Sequence, residues 1–216
     1  MTTRIGLISD VHACAAPLRE ALSIFRQERV AMVLCAGDIA GYGTELAETV
    51  ELLVQGGCTA IMGNHEVWYL DSPAGRAKNS AAVYLAGLPR VWESVREGIR
   101  VYAVHASPPQ SLNKGIRLLD EKGGLLAAEK ERWTALLDGY SFDVLIVGHT
   151  HQVFAERFGS RLVINPGSTK FNHTCMVLTL PDMDVRIFPL SGREPVKSWN
   201  WGMMTGRGLR AGKKIT

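Results

Sequence analysis

Short apolar stretches of this chain repeatedly end in residues that can bind a metal. Five of the six histidines lie in such places, in the clusters Asp10-Val11-His12, Gly63-Asn64-His65-Glu66, Ala103-Val104-His105 and Gly148-His149-Thr150-His151, and Gly37-Asp38 lies between the first two clusters. Imidazole is the commonest protein ligand for transition metals, and its combination with carboxylates suits Mn, Fe, Zn or Ni better than Ca or Mg. The pattern therefore predicts a metal centre that is assembled from several loops, with hydrolytic chemistry.

The first third of the chain alternates predicted strands with predicted helices. Apolar runs at 4–9, 31–36 and 59–62 indicate strands, and the segments between them have the apolar spacing of helices, the second with Thr44 as its N-cap. Such repeats form parallel units with right-handed crossovers, and ligands bind outside the carboxyl ends of the strands. Three polar residues occupy this position, so we expect them to meet at one edge of a sheet: Asp10, Asp38 and Asn64.

The second half of the chain is richer in predicted strands. Apolar runs between turn-forming residues predict strands at 100–105, 142–147, 153–158, 161–164, 174–180 and 185–189, with helices at 80–88 and 124–137. We therefore predict an α/β half followed by a meander-like half, with two sheets packed face to face and helices outside. Because no repeat or linker divides the chain, residues 1–216 are predicted to form one domain, with 207–216 as a frayed basic tail.

Composition argues against several classes of function. Lys and Arg number 24 against 21 Asp and Glu, and much of the net charge of +3 lies in the basic tail, so a broad nucleic-acid-binding surface is not expected. No apolar run approaches the roughly 20 residues of a membrane span. The chain has no signal-peptide pattern and no Cys-x-x-Cys spacing, which predicts a cytoplasmic protein.

A homo-oligomer is possible, since Trp199 and Trp201 would either cover a dimer seam or cap the core.

Two pairs of candidate ligands are separated by a single residue: Asp10 with His12, and His149 with His151. In an extended segment alternate side chains project to the same side, so each pair can reach one ion.

Two further candidates have alternative interpretations. Cys14 is either a soft accessory ligand or a buried inert thiol, and His173 either reaches the cleft or lies in a surface loop.

The order of these motifs resembles that of the calcineurin-like metallophosphoesterase superfamily. The match runs from about Ile5 to Ser168, and two further segments are similar to its small YfcE-like phosphodiesterase branch: Gly41-Tyr42-Gly43 and Asn165-Pro166-Gly167-Ser168. The resemblance implies a four-layer αββα sandwich of two mixed β-sheets flanked by helices, with a binuclear metal site at one edge. It also implies a metal-dependent phosphoesterase, in the first place a phosphodiesterase, that acts on a small phosphoester.

The resemblance assigns a role to each candidate residue. One ion would be held by Asp10, His12 and His151, the other by Asn64, His105 and His149, with Asp38 bridging them. The two divalent ions would be Mn²⁺, or alternatively Fe, Ni, Co or Zn, and a hydroxide between them would attack phosphorus in line with the leaving oxygen. His65 would be the catalytic residue, because it would bind the phosphoryl group and help to protonate the leaving oxygen.

The chain departs from the family pattern in two places. The phosphoprotein phosphatase branch has Gly-Asp-x-x-Asp-Arg-Gly where this chain reads Gly37-Asp38-Ile39-Ala40-Gly41-Tyr42-Gly43. The chain thus lacks the aspartate that orients the catalytic histidine in that branch and the arginine that grips the substrate phosphate. What orients His65 is therefore an open question. Ala13-Cys14 also stands where relatives often have Gly-Asn.

Three alternatives to a phosphodiesterase stay open. A phosphomonoesterase of the same superfamily would use the same residues, whereas the missing aspartate and arginine weaken the protein phosphatase alternative. A non-catalytic binding scaffold on this fold would need neither His65 nor the ligands, and a nuclease would need a more basic surface. Segments 67–79 and 107–123 are predicted to be loops that frame the cleft. In that region Tyr42, Trp68 and Tyr69 would either stack on a substrate ring or serve packing.

Overall fold

The computed structural model describes residues 1–200. In this range the strands are β1 (Thr3–Ile8), β2 (Met32–Cys35), β3 (Thr59–Ala60), β4 (Val91–Arg96), β5 (Ile99–Val104), β6 (Val144–Ile146), β7 (Val153–Phe158), β8 (Arg161–Pro166), β9 (Thr174–Leu180) and β10 (Asp184–Pro189). The helices are α1 (Ala15–Gln27), α2 (Leu46–Gln55), α3 (Asn64–Asp71), α4 (Pro73–Arg76), α5 (Ser80–Ala86) and α6 (Ala127–Leu137). Among them we find no helix with the length and apolar character that a membrane crossing requires.

Strand β1 is the middle strand of the first sheet, which has the order β10-β9-β1-β2-β3. It pairs in parallel with β2 and antiparallel with β9. Its side chains alternate between two apolar layers, because Ile5 and Leu7 pack between the sheets whereas Ile8 packs on the helix side. Gly6 lets Phe25 of α1 lie directly on the strand, since a Cβ there would approach the phenyl ring to 2.8 Å.

The second sheet has the order β4-β5-β6-β8-β7 and faces the first across a shared apolar layer. Its three central strands are parallel, and antiparallel strands form both edges. The outer face of this sheet is covered by apolar residues of the segment 116–119 and by α6, of which only Leu137 is buried. Helices therefore flank two mixed sheets, which confirms the predicted four-layer αββα sandwich.

The prediction of a meander-like second half is wrong. Strands β9 and β10 join the first sheet, where β9 pairs with β1, while β6, β7 and β8 belong to the second sheet. Within that sheet β6 is parallel to β8 rather than hairpin-paired with its successor. Turn-forming residues indicate where a strand ends, but the sheet that a strand joins depends on long-range pairing. Once paired at the centre of the first sheet, β1 and β9 each have an apolar layer on both faces.

Local boundaries near the predicted site also differ. The segment 67–79 is not a loop, because α3 begins at Asn64 and α4 follows it, so two predicted site residues lie in the first turn of a helix. Helix α2 is preceded by Glu45 rather than by Thr44 as its N-cap. The prediction that residues 1–216 form one domain stays a prediction. The basic tail 207–216 and Trp201 lie outside the described residues.

Candidate metal centre

The seven predicted ligand residues converge where parallel strands of both sheets end. Ligand atoms of Asp10, His12 and His151 all lie within 4.8 Å of one another, and so do those of Asp38, His105 and His149. Asn64 joins the second group, since its Oδ1 lies 3.2 Å from His105 Nε2 and 2.9 Å from His149 Nδ1. The structure thus brings together the same two sets of residues that the family resemblance implied.

Left-handed backbone conformations direct most of these side chains. Positive φ angles between 49° and 66° occur at five of the seven residues: Asp10, His12, Asp38, His149 and His151. For non-glycine residues this conformation costs on the order of 1–3 kcal/mol, and it concentrates at functional sites. The expectation that each pair alternates along an extended segment is therefore wrong, both for Asp10 with His12 and for His149 with His151. The latter two also lie in different groups, so they do not reach one ion together. The backbone N–H groups of Asp10 and His12 instead donate to the carbonyls of Gly37 and Asp38, both at 2.9 Å, which joins the loops that follow β1 and β2.

Backbone carbonyls determine the tautomers of three histidines. The pairs are His12 Nδ1 with Ala40 O at 3.2 Å, His105 Nδ1 with Ala36 O at 2.7 Å, and His149 Nε2 with Asn113 O at 3.0 Å. A carbonyl can only accept, so each of these ring nitrogens donates its N–H. In the neutral form that a metal ligand requires, the opposite nitrogen of each ring carries a lone pair directed toward the centre. His12 Nε2 lies only 3.0 Å from His151 Nε2, an approach that a shared cation would stabilise.

The buried carboxylates at this centre need positive charge. Asp10 and Asp38 are 0% and 2% exposed. Burial raises the pKa of both groups, but the imidazoles of His151 and His105 outweigh burial and hold each pKa below its ordinary value. Among the described residues the charge partners of these carboxylates are histidines, and no Arg or Lys pairs with either. Because buried charges must be paired or bind metals, this donor set fits divalent cations.

His65 is oriented by ring packing rather than by a second aspartate. Its ring lies between those of Tyr42 and Trp68, with centroid separations of 4.6 Å on each side. Its Nδ1 faces Gly41, where a Cβ would lie 2.7 Å away, and its Nε2 lies 4.0 Å from Asp38 Oδ2. His65 also belongs to a third close group, in which one potential ligand atom each of His12, Asp38 and His65 lie within 4.8 Å of one another.

Two further aromatic residues pack on His151 at the centre. Phe171 stacks on His151 with a centroid separation of 5.3 Å, and Trp199 stacks on Phe171 at 4.1 Å. The Trp199 backbone N–H also donates to the carbonyl of His151 at 3.1 Å. Trp199 therefore lies at the candidate site, while Phe171 was missed by sequence reasoning. No local signal indicates either role, because the contacts join segments that are far apart in the chain.

Cys14, His173 and Tyr69 lie outside the groups of potential metal ligands found among residues 1–200. Cys14 is half-buried before α1, and burial raises the pKa of its thiol, which disfavours the thiolate that a metal would bind. His173 Nε2 lies 3.3 Å from a guanidinium nitrogen of Arg193 in an exposed contact. The Tyr69 hydroxyl accepts a hydrogen bond from Asn79, so this ring serves packing rather than the cleft.

Glu66 holds the ligand loops together, a role that sequence reasoning missed. Its side chain is fully buried and accepts backbone N–H groups from Asp38 at 2.9 Å, Ala40 at 2.8 Å and Gly63 at 2.6 Å. Burial and the neighbouring Asp38 raise the pKa of Glu66 to about 7, while the amide donors oppose this shift. The contact with Gly63 is half of a capping box, and Glu three residues after Gly63 was its sequence signal.

Replacing Glu66 with alanine is expected to lower the free energy of unfolding by about 3 kcal/mol, because three buried amides lose their acceptor. Chemical denaturation followed by circular dichroism measures the change. Glu66→Gln should fall between wild type and Glu66→Ala, since its amide nitrogen cannot accept. Glu93→Ala, at an exposed position of β4, provides the control. If Glu66→Ala unfolded at the same denaturant concentration as the control variant, this role of Glu66 would be contradicted.

Comparisons with known proteins identify the family of this chain. The model of the calcineurin-like phosphoesterase superfamily domain matches residues 3–182. An uncharacterised protein of Methanocaldococcus jannaschii is 25% identical over 185 residues, which cover 76% of this chain and 68% of that protein.

Two solved structures share the fold. One, described as a novel archaeal phosphodiesterase, is 20% identical with a TM-score of 0.57 and covers 87% of this chain and 100% of its own. YfcE, a phosphoesterase from E. coli, is 18% identical with a TM-score of 0.52 and covers 88% of this chain and 100% of its own. The fold is thus that of small phosphoesterases, as the resemblance predicted. Since the superfamily model covers most of its length, the chain belongs to the calcineurin-like phosphoesterase superfamily, which implies a hydrolase of phosphoesters that uses divalent metal ions.

Proposed function

We propose that this chain is a phosphodiesterase with a binuclear metal centre. One ion would be held by Asp10, His12 and His151 and the other by Asn64, His105 and His149, with Asp38 shared between them. The observation that carries this proposal is the convergence of these donors around two buried carboxylates. Three of the histidines place one ring nitrogen against a backbone carbonyl, so the other ring nitrogen faces the centre. Divalent ions at such a centre stabilise charge on phosphoryl oxygens and lower the pKa of water.

The chain's own residues position these groups. Both oxygens of Asp10 accept the His149 backbone N–H at 3.1 Å, which connects the two ligand sets. Oδ1 of Asp38 accepts the backbone N–H of His65 at 2.9 Å, and this hydrogen bond attaches the shared carboxylate to the backbone of the catalytic histidine. Burial lowers the pKa of His65, which makes its imidazolium a stronger acid. The protonated ring would donate from Nε2 to the phosphoryl group and transfer that proton to the leaving oxygen.

The cleft suits a diester better than a monoester. It has a volume of about 250 Å³, and the aromatic rings of Tyr42, Trp68 and Trp199 form much of its lining. Arg117 is the only Arg or Lys among the described residues that line it. A monoester has one organic group and a diester has two, so the rings that surround the proposed metal ions offer contacts that suit the second ester group of a diester. The shared fold of the archaeal phosphodiesterase supports the same choice.

A comparison of bis(p-nitrophenyl) phosphate with p-nitrophenyl phosphate tests the proposal. With Mn²⁺ present we expect a higher kcat/KM for the diester, and loss of both activities after chelation of the metal. A preference for the monoester would favour the phosphomonoesterase alternative. Hydrolysis of neither compound with Mn²⁺, Fe²⁺, Co²⁺, Ni²⁺ or Zn²⁺ would favour the binding scaffold. The choice of manganese, the cytoplasmic location and the possible homo-oligomer stay predictions.

A further inference from the structure

The cleft at the metal centre is small for a complete diester substrate. Ligand pockets usually measure about 300–1,000 Å³, whereas this cleft has about 250 Å³. A second cavity of about 650 Å³ lies beside it, between α6 and the segment 107–117. Arg117 lines both spaces, so the cavity borders the cleft at this side chain.

The wall between the two spaces is attached to the ligand loop. The Asn113 carbonyl accepts from His149 Nε2, and the Ile116 carbonyl accepts from Thr150 Oγ1 at 3.1 Å. Gly115 lies so close that a Cβ there would approach His149 Cδ2 to 2.8 Å. Because these contacts hold the segment against the ligand loop, a group in the cavity would lie at a defined position relative to the reacting phosphate.

The side chains that line the cavity combine aromatic rings with a positive charge balance, since the one carboxylate among its described lining residues, Glu129, is paired with Arg132 at 3.2 Å. Lys114 and Arg117 are exposed, and neither takes part in an ion pair within residues 1–200. Trp133 and Tyr140 are half-buried and line the same space. Guanidinium and ammonium groups bind phosphate, and indole and phenol rings stack on planar groups. The cavity therefore matches a ligand with both a planar ring and a negative charge.

Helix α6 leaves apolar surface toward this cavity. Leu126 and Leu136 line it and are 38% and 51% exposed, although each is a large aliphatic residue. Burying such side chains against a ligand contributes roughly 25 cal/mol per Å² of apolar surface. The exposed leucines thus add an apolar wall to the ring and charge contacts.

We propose that this cavity binds the second ester group of the diester, and that preferred substrates carry a planar ring and a further negative charge there, as a nucleotide does. The proposal rests on the proposed phosphodiesterase function. In the reaction water adds to phosphorus, the P–O bond to the leaving group breaks, and the proton from water ends on the leaving oxygen or in solvent. The group in the cavity stays bonded to phosphorus.

Three diesters with the same leaving group test the cavity: methyl p-nitrophenyl phosphate, thymidine 5′-(p-nitrophenyl phosphate) and the 3′-phosphate of the latter. Each releases p-nitrophenolate, so differences in kcat/KM report the second ester group. We expect the value to increase in that order, by about tenfold for the ring and about tenfold for the added charge. Ratios between substrates, measured on one preparation, cancel differences in metal content or folding.

Matched variants separate the contacts. The kcat/KM of the thymidine diester divided by that of the methyl diester should fall close to one in Trp133→Ala. It should stay close to the wild-type ratio in Trp133→Phe. Lys114→Ala and Arg117→Ala should each reduce the gain from the 3′-phosphate, whereas Arg96→Ala, on an exposed site of β4 remote from the carboxyl ends of the strands, should not. Calorimetric binding of thymidine 3′,5′-bis(phosphorothioate) to the purified protein should weaken about tenfold in the same three alanine variants.

The outcomes distinguish this inference from the proposed function. Equal kcat/KM for all three diesters, or ratios that Trp133→Ala and Arg117→Ala leave unchanged, would overturn the cavity assignment while phosphodiesterase activity stands. Binding of the bis(phosphorothioate) that depends on Trp133, together with no hydrolysis of any diester, would support the cavity and contradict the proposed function.

Discussion

An Asp38→Asn variant is expected to lose metal from both proposed sites and at least about a hundredfold of its phosphodiesterase activity, since even partners of metal ligands change affinity or activity by about 10–100-fold. The substitution removes a buried charge that lies 3.3 Å from His105 Nε2 and 4.0 Å from His65 Nε2. Metal content by mass spectrometry, together with kcat/KM for bis(p-nitrophenyl) phosphate, measures both effects.

The variant should remain folded, which makes the result interpretable. Asp38 has a φ of 54°, a left-handed conformation that asparagine tolerates well. An asparagine Oδ1 can also still accept the backbone N–H of His65. Asp138→Asn, at a side chain that is 85% exposed, is the matched control and should keep both metal and activity. Retention of two ions per chain by Asp38→Asn would show that this carboxylate does not bridge them.

A His65→Ala variant is expected to keep its metal and to lose about 10²–10⁴-fold in kcat, the usual contribution of general acid–base catalysis. The loss should grow as the leaving group becomes more basic, because a phenolate needs a proton more than p-nitrophenolate does. Rates for methyl phenyl phosphate and methyl p-nitrophenyl phosphate, each relative to wild type, measure this dependence. The packing of the His65 ring between Tyr42 and Trp68 places its Nε2 toward Asp38 for this role.

His173→Ala is the matched control, because this histidine contacts Arg193 away from the metal centre. It should leave both the rate and the metal content at the wild-type level. An unchanged rate in His65→Ala would remove His65 from the mechanism. Loss of metal would instead make His65 a ligand, which its close group with His12 and Asp38 would then explain.

The positions of the candidate ligands were predictable because each follows an apolar strand. Parallel strands bring their carboxyl ends to one edge, so the locations of Asp10, Asp38 and Asn64 in the sequence already indicated that they meet. The way in which these side chains reach the centre was not predictable. Sequence reasoning assumed extended backbone at Asp10 and His12, whereas both have left-handed conformations that depend on hydrogen bonds to the loop after β2.

Helix α3 illustrates a local signal that was present but incompletely used. Glu66 follows Gly63 by three residues, the spacing of a helix N-terminus, and the structure begins the helix at Asn64. The same side chain also accepts the amides of Asp38 and Ala40, which no local pattern indicates. The aromatic contacts of Phe171 and Trp199 with His151 likewise required the folded chain.

The sequence by itself determined the α/β class, the superfamily and the residue types at the candidate centre, because hydrophobic periodicity and short motifs are local properties. Only the tertiary structure decided which sheet β9 and β10 join, what orients His65, and that Arg117 lines both the metal-centre cleft and a larger cavity. These features depend on contacts between residues that are distant in the chain. Their energies come from pairing, packing and burial, which exist only once the two sheets have come together.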